Sequence, residues 1–147
     1  MRNEALFYTC SLIEYIGRKK CRTREAVVNK LGAERLREIY RYSDVLHCEP
    51  IEKIADEYIR LAKIRKGKFD NISSCRYDVP DYWDIGDVYS RLITDVGGGD
   101  VIESLLEVYR SKTSEHIQNF NSALYYQFRD YLAEYYKAGA KDPPPVD

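Results

Sequence analysis

Asp100–Tyr136 reads DVIESLLEVYRSKTSEHIQNFNSALYYQFRDYLAEYY, and this stretch decides the fold. Two helical apolar patterns flank a polar segment, Ser111 to Ser122. Asp100 suits an N-cap, because its carboxylate can accept from an orphan N–H of the first turn. Glu103 follows three residues later, as in a capping box. Val101, Leu105, Val108 and Tyr109 then recur close to the helical period. Downstream, Leu124, Phe128, Tyr131 and Tyr135 fall at i, i+4, i+7 and i+11. That stripe predicts one helix over 123–138, capped by Ser122 and ended by Gly139. On it, Tyr131 and Tyr135 occupy one face, and Tyr125 and Tyr136 another. Asp142-Pro143-Pro144-Pro145 cannot continue a helix, since proline lacks the N–H and clashes with the preceding turn. The tail therefore reads as short and extended.

The same signals recur upstream. Leu6, Phe7, Cys10, Ile13 and Ile16 give a first amphipathic helix ending near Gly17 to Lys20. Thr23 caps a short helix, Arg24 to Leu31, with Gly32 as its stop. A third helix is expected from Ala33 towards His47, with Leu36, Ile39, Tyr40, Val45 and Leu46 inward. Pro50 fits the start of a fourth, because its missing N–H would be unpaired there. Ile51, Ile54, Tyr58, Leu61 and Arg65 mark one face of it, and Gly67 ends it. Asp84 or Asp87 opens a fifth helix with Ile85, Val88, Leu92 and Val96 buried, and Gly97-Gly98-Gly99 breaks it. No stretch alternates apolar and polar residues as a strand would, and no internal repeat is present.

The expectation is a compact all-α bundle of six or seven helices in one domain of 147 residues. It divides into a basic helical half (1–66), a connector (67–82), an acidic and aromatic helical half (83–139) and a tail (140–147). A chain of this size buries about 68–70% of its unfolded surface and needs no disulfide or metal to fold. The 13% of aromatic residues argues against disorder. No apolar run approaches the ~20 residues of a membrane span, and the first residues do not resemble a secretory signal. Cys10, Cys21, Cys48 and Cys75 form no CxxC pair, so a cytoplasmic protein with reduced thiols is expected.

The net charge of −1 hides an asymmetry. Residues 1–68 carry sixteen Lys or Arg against ten Asp or Glu, a net +6; residues 69–147 carry a net −7. The densest basic run is Arg18, Lys19, Lys20, Arg22 and Arg24. It admits a polyanionic partner such as nucleic acid. The plainer readings are solvated helix faces, or attraction between the halves. REAVVNKLG followed by AERLREIYRY faintly suggests a helix-turn-helix about Gly32, but Glu34 and Glu38 on the outer face of the second helix would repel phosphate.

LFYTCSLIEYIG near the start and YSDVLH at Tyr42 to His47 resemble a family of small helical proteins from anaerobic Firmicutes. VYRSKTSEHIQNFNSALYYQ, Val108 to Gln127, is similar to segments of other proteins from the same bacteria. The sequence departs from the family pattern around Cys48-Glu49-Pro50. Such families sit near toxin-like genes, so the resemblance implies an antitoxin or accessory role.

Two constellations carry chemistry. Arg110 and His116, with five residues between them, resemble the Arg-x(4–6)-His signature of HEPN-type ribonucleases. A histidine can move the proton of an RNA 2′-hydroxyl, and an arginine can stabilise the phosphorane charge, without a metal. Arg41 and His47 share that spacing, however, and the alternative role for His116 is packing at a turn. The second constellation is Ser114, His116, Asn119, Asn121, Tyr125, Tyr126, Arg129 and Tyr136, which could line a protein-binding groove; tyrosine is common at interfaces. The competing reading is core tyrosine with Ser and Asn as caps. His47, Cys48 and Glu49 diverge on a helix and do not suit a shared metal, and GGG lacks the Lys-Ser/Thr of a phosphate loop. The expected role is a protein–protein interaction module, its partner a toxin or a second copy, with no cofactor, metal or membrane. The metal-independent ribonuclease and the basic nucleic-acid binder are the alternatives.

Overall fold

The computed structural model describes residues 2–146. Its central element is α1, Glu4–Lys20, capped by the Asn3 carboxamide accepting from Leu6 N. Residues all round this helix are buried, Tyr8, Ser11 and Glu14 among them. A helix covered on every side must lie inside the molecule. Its inner hydroxyls are satisfied locally, Thr9 on the Ala5 carbonyl and Ser11 on that of Phe7, each at 2.8 Å. α1 ends at Lys20, within the expected span Gly17 to Lys20, and its C-cap Cys21 has a φ of 49°.

α2, Arg24–Arg41, starts at the Thr23 cap and is broken at Gly32, where φ is 78° and ψ 162°. Only glycine takes that conformation readily, so the two segments meet where the sequence predicted. The second segment stops at Arg41, and a separate turn, α3 (Ser43–Leu46), follows. Val45 is 64% exposed rather than inward. α4, Ile51–Ala62, closes at Lys63, whose φ is 55°, well before Gly67. Leu61 faces water as a result. Gly67 instead lies against the end of α1, donating to the Lys20 carbonyl at 2.8 Å.

α5, Tyr82–Val96, is capped by Asp81, not by Asp84 or Asp87. It crosses α1 at Gly86, where an added Cβ would lie 2.8 Å from both N and Cα of Ser11. That approach lets the backbones of the basic and acidic halves touch, so the halves interleave around one core. Arg37 clamps Asp100 at 2.7 and 3.0 Å, and Arg2 reaches Asp87 at 3.6 Å, joining the halves across the surface.

α6 (Val101–Tyr109) begins at Asp100, whose carboxylate accepts from Ile102 N and Glu103 N. α7 (Lys112–Ile117) begins at the Ser111 cap. The single helix expected over 123–138 is not formed. Leu124–Tyr126 is one 3₁₀ turn, Gln127 and Phe128 are extended, and α8 is Arg129–Lys137. The described residues thus hold eight α-helices, with no strand, against the six or seven expected. The prolines do not project as a free tail: Ala123 N donates to the Pro145 carbonyl at 2.5 Å, and the Tyr135 hydroxyl to that of Asp142 at 2.8 Å. No helix is long and apolar enough to cross a membrane.

Candidate functional site

The polar segment Ser111–Ser122 turns largely inward. Ser114 is fully buried and meets the Tyr89 hydroxyl at 2.6 Å. Gln118 donates to the Ser114 carbonyl and hydroxyl and accepts from Arg24 N at 2.9 Å. Asn71, from the connector, donates to the Gln118 carbonyl at 2.9 Å. Beneath these lies an ion pair with both partners at 0% exposure: Arg24 Nε and Nη2 donate to Glu14 at 2.9 and 2.8 Å. Arg18 adds a third bond to the same carboxylate at 2.8 Å. Burial alone would raise the Glu14 carboxyl, but Arg24 and Arg18 outweigh it and hold it below its ordinary value. Gly17 makes room for this pair, since a Cβ there would stand 2.5 Å from Arg24 Cδ.

The network was missed in the sequence. Glu14 sits four residues after Cys10 on the inward stripe of α1, and that placement was the available signal. The basic run is therefore not a free patch: Arg18 and Arg24 turn in on Glu14, and Lys19 pairs with Asp56 at 2.6 Å.

The proposed ribonuclease pair is given separate partners. Arg110 Nε donates to Asn29 at 2.8 Å. His116 Nδ1 lies 2.6 Å from the Tyr135 hydroxyl, whose own proton goes to the Asp142 carbonyl. In the neutral ring Nδ1 then carries the proton. Burial, then Lys112, lowers the His116 pKa, so the ring is held towards its neutral form. Asn121 is also structural: its side chain accepts from Arg76 N and donates to the Ser74 carbonyl, fixing the connector. Asn119 is exposed and accepts from Asn121 N.

The aromatic residues divide differently from the two helical faces expected. Tyr135 is buried, while Tyr125 and Tyr136 are half-buried against the core. Tyr125 is not on α8 at all, and its ring meets Phe120 edge-on at 5.7 Å. The rings left in water are Tyr126 at 50%, Tyr131 at 45% and, above all, Phe128 at 87% exposure. Phe128 stands at the mouth of a cleft of about 450 Å³ between α5 and the start of α8. Asp84, Asp87 and Arg91 form the opposite wall. Arg129 grips Asp95 through two bonds of 3.0 and 2.6 Å, which fixes the backbone beside Phe128. Asp87 is engaged by Arg91 at 3.3 Å; Asp84 is exposed and has no ion pair among the described residues.

Phe128 breaks two local rules. It occupies the N-cap of α8, where it offers no side-chain acceptor; Ser, Thr, Asp or Asn there contributes about 1 kcal/mol. It also leaves a large ring in water, forgoing the ~1.5–3 kcal/mol of burial. Among the described residues, no three His, Cys, Asp or Glu side chains are grouped so as to hold a metal ion. No family model, curated protein or solved structure matches the chain.

Proposed function

We propose that the protein is a protein–protein interaction module that docks through Phe128, Tyr126 and Tyr131 and the charged cleft beside them. The observation that carries this reading is Phe128, 87% exposed beside the Arg129–Asp95 pair. A rigid aromatic anchor loses little entropy on binding, which is how hot-spot residues work. Asp84 fits a partner that presents Lys or Arg beside an apolar side chain. A toxin encoded beside this protein is the partner that the family resemblance implies, with this chain as its antitoxin or accessory. The separate engagement of Arg110 and His116 gives the ribonuclease reading no added support, and the internal pairing of the basic run gives nucleic-acid binding none.

The test is co-expression with the product of the adjacent gene, followed by size-exclusion chromatography. The wild-type chain should co-elute with it, and Phe128→Ser should not. The same substitution supplies the missing cap, so the variant should melt no lower than the wild type, and higher by about 2–4 °C if the full ~1 kcal/mol is gained. Co-elution that survives the substitution, or a Phe128→Ser protein that melts several degrees lower, overturns the proposal.

A further inference from the structure

A second cleft, remote in sequence from the docking face, lies where α1 meets α3. It has a volume of about 260 Å³ and is lined by Glu4, Phe7, Tyr8, Ser43, Asp44 and His47. Its wall is aromatic. The Tyr8 and His47 rings meet edge-on at 5.3 Å, and the Trp83 ring backs both His47, at 5.7 Å, and Phe7, at 5.5 Å. Two carboxylates, Glu4 and Asp44, stand exposed on the lining.

Three observations fix the chemistry this cleft would accept. Aromatic faces attract cations through the ring quadrupole; the Phe7 face is already taken by the Arg2 guanidinium, 3.9 Å from its centroid, which leaves Tyr8 and His47 to meet a ligand. Asp44 has no ion-pair partner among the described residues, so a negative charge is available. Glu4, Asp44 and His47 are nevertheless not grouped to hold a metal ion, so the charge they would balance is a diffuse one with an apolar body. Tyr8 adds a fourth point. Only 3% exposed, it carries a buried hydroxyl with no hydrogen-bond partner, where phenylalanine would pack without that penalty.

We propose that this cleft binds an alkylammonium group, of the kind carried by choline or by a methylated lysine, with the cation against the Tyr8 and His47 rings and Asp44 as its counter-charge. The chain's single tryptophan, Trp83, packs on both of those rings and reports on the site.

The experiment is a titration of the full chain with choline at constant ionic strength, followed by Trp83 fluorescence. Its neutral carbon isostere, 3,3-dimethylbutanol, and an Nε-trimethyllysine peptide are run in parallel. Saturable change with choline, and none with the isostere, is expected. Asp44→Asn should weaken binding about fivefold, in keeping with a solvent-facing ion pair, and His47→Leu should weaken it further while leaving the cleft apolar. Tighter binding of the peptide than of choline would assign the alkylammonium group to a protein side chain, and the reverse order to a free metabolite. The proposal is overturned if choline and its isostere act alike, if choline causes no saturable change, or if Asp44→Asn binds as the wild type does.

Discussion

Replacing Arg24 by Met tests the buried network. Methionine approximates the aliphatic stem of arginine but removes the two bonds to Glu14, the 2.8 Å bond to the Arg22 carbonyl and the 3.4 Å bond to Asn71. Breaking one partner of a buried pair typically costs about 3–5 kcal/mol, because the other charge is left without compensation. Here Arg18 still holds Glu14 at 2.8 Å, so the lower end, about 3 kcal/mol, is expected. For a domain of this size that lowers Tm by roughly 6–12 °C. The sign with pH follows from Glu14. Its folded pKa is depressed, so its contribution is fully present above about pH 4.5, the ordinary value, and is lost as pH falls through the folded value. The wild-type advantage over Arg24→Met should therefore be largest near neutral pH and shrink in acid. Urea unfolding followed by circular dichroism at pH 7 and pH 3 measures both quantities. The double variant Glu14→Gln/Arg24→Met removes the stranded charge and should recover part of the loss. A single variant within about 1 kcal/mol of wild type at pH 7, or a difference that does not change with pH, refutes the reasoning.

Two further outcomes test the packing. Gly86→Ala should destabilise by about 1–3 kcal/mol, despite alanine's better helix propensity, because its methyl would strike the backbone N and Cα of Ser11 as well as its hydroxyl, and the backbone cannot swing aside; a rise in Tm would show that the α1–α5 crossing is looser than described. Under native conditions an alkylating reagent should modify Cys48, which is exposed, and spare Cys10, whose thiol is buried and pushed up to about 12. Labelling of Cys10 at the rate of Cys48, read by mass spectrometry, would contradict its burial.

What was legible in the sequence is what short-range chemistry decides. The caps at Thr23 and Asp100, the break at Gly32 and the interruption at Gly97–Gly99 all follow from residues acting on their own backbone. The all-α class followed from periodicity for the same reason. The break between Gln127 and Phe128 was not legible, since neither residue is a helix breaker. It accompanies long-range contacts, Arg129 to Asp95 and Ala123 to Pro145, which a local pattern cannot reveal. Among the candidate residues, Ser114 was read as surface because serine usually is; the structure uses it to satisfy Tyr89 and Gln118. The Glu14–Arg24 pair was hidden because a charged side chain on an apolar stripe gives no hint of the partner that packing will supply.

The inward turn of α7 has a physical cause. Arg24 N lies inside the fold at the start of α2 and needs an acceptor, as every buried donor does; Gln118 supplies one, and α7 must place Gln118 there. Placing it directs Ser114 and Gln118 inward and His116 towards Tyr135. The polar groups that looked most chemical are thereby committed to holding the fold together. In the chain that follows, Phe120, Leu124, Leu132 and Tyr135 enter the core, while Tyr126, Phe128 and Tyr131 remain outside. Stability alone would favour a polar N-cap in place of Phe128 and a phenylalanine in place of Tyr8. Both exceptions line clefts that hold unpaired carboxylates, Asp84 in one and Asp44 in the other. Residues that break local rules without a stabilising return are where binding is to be sought.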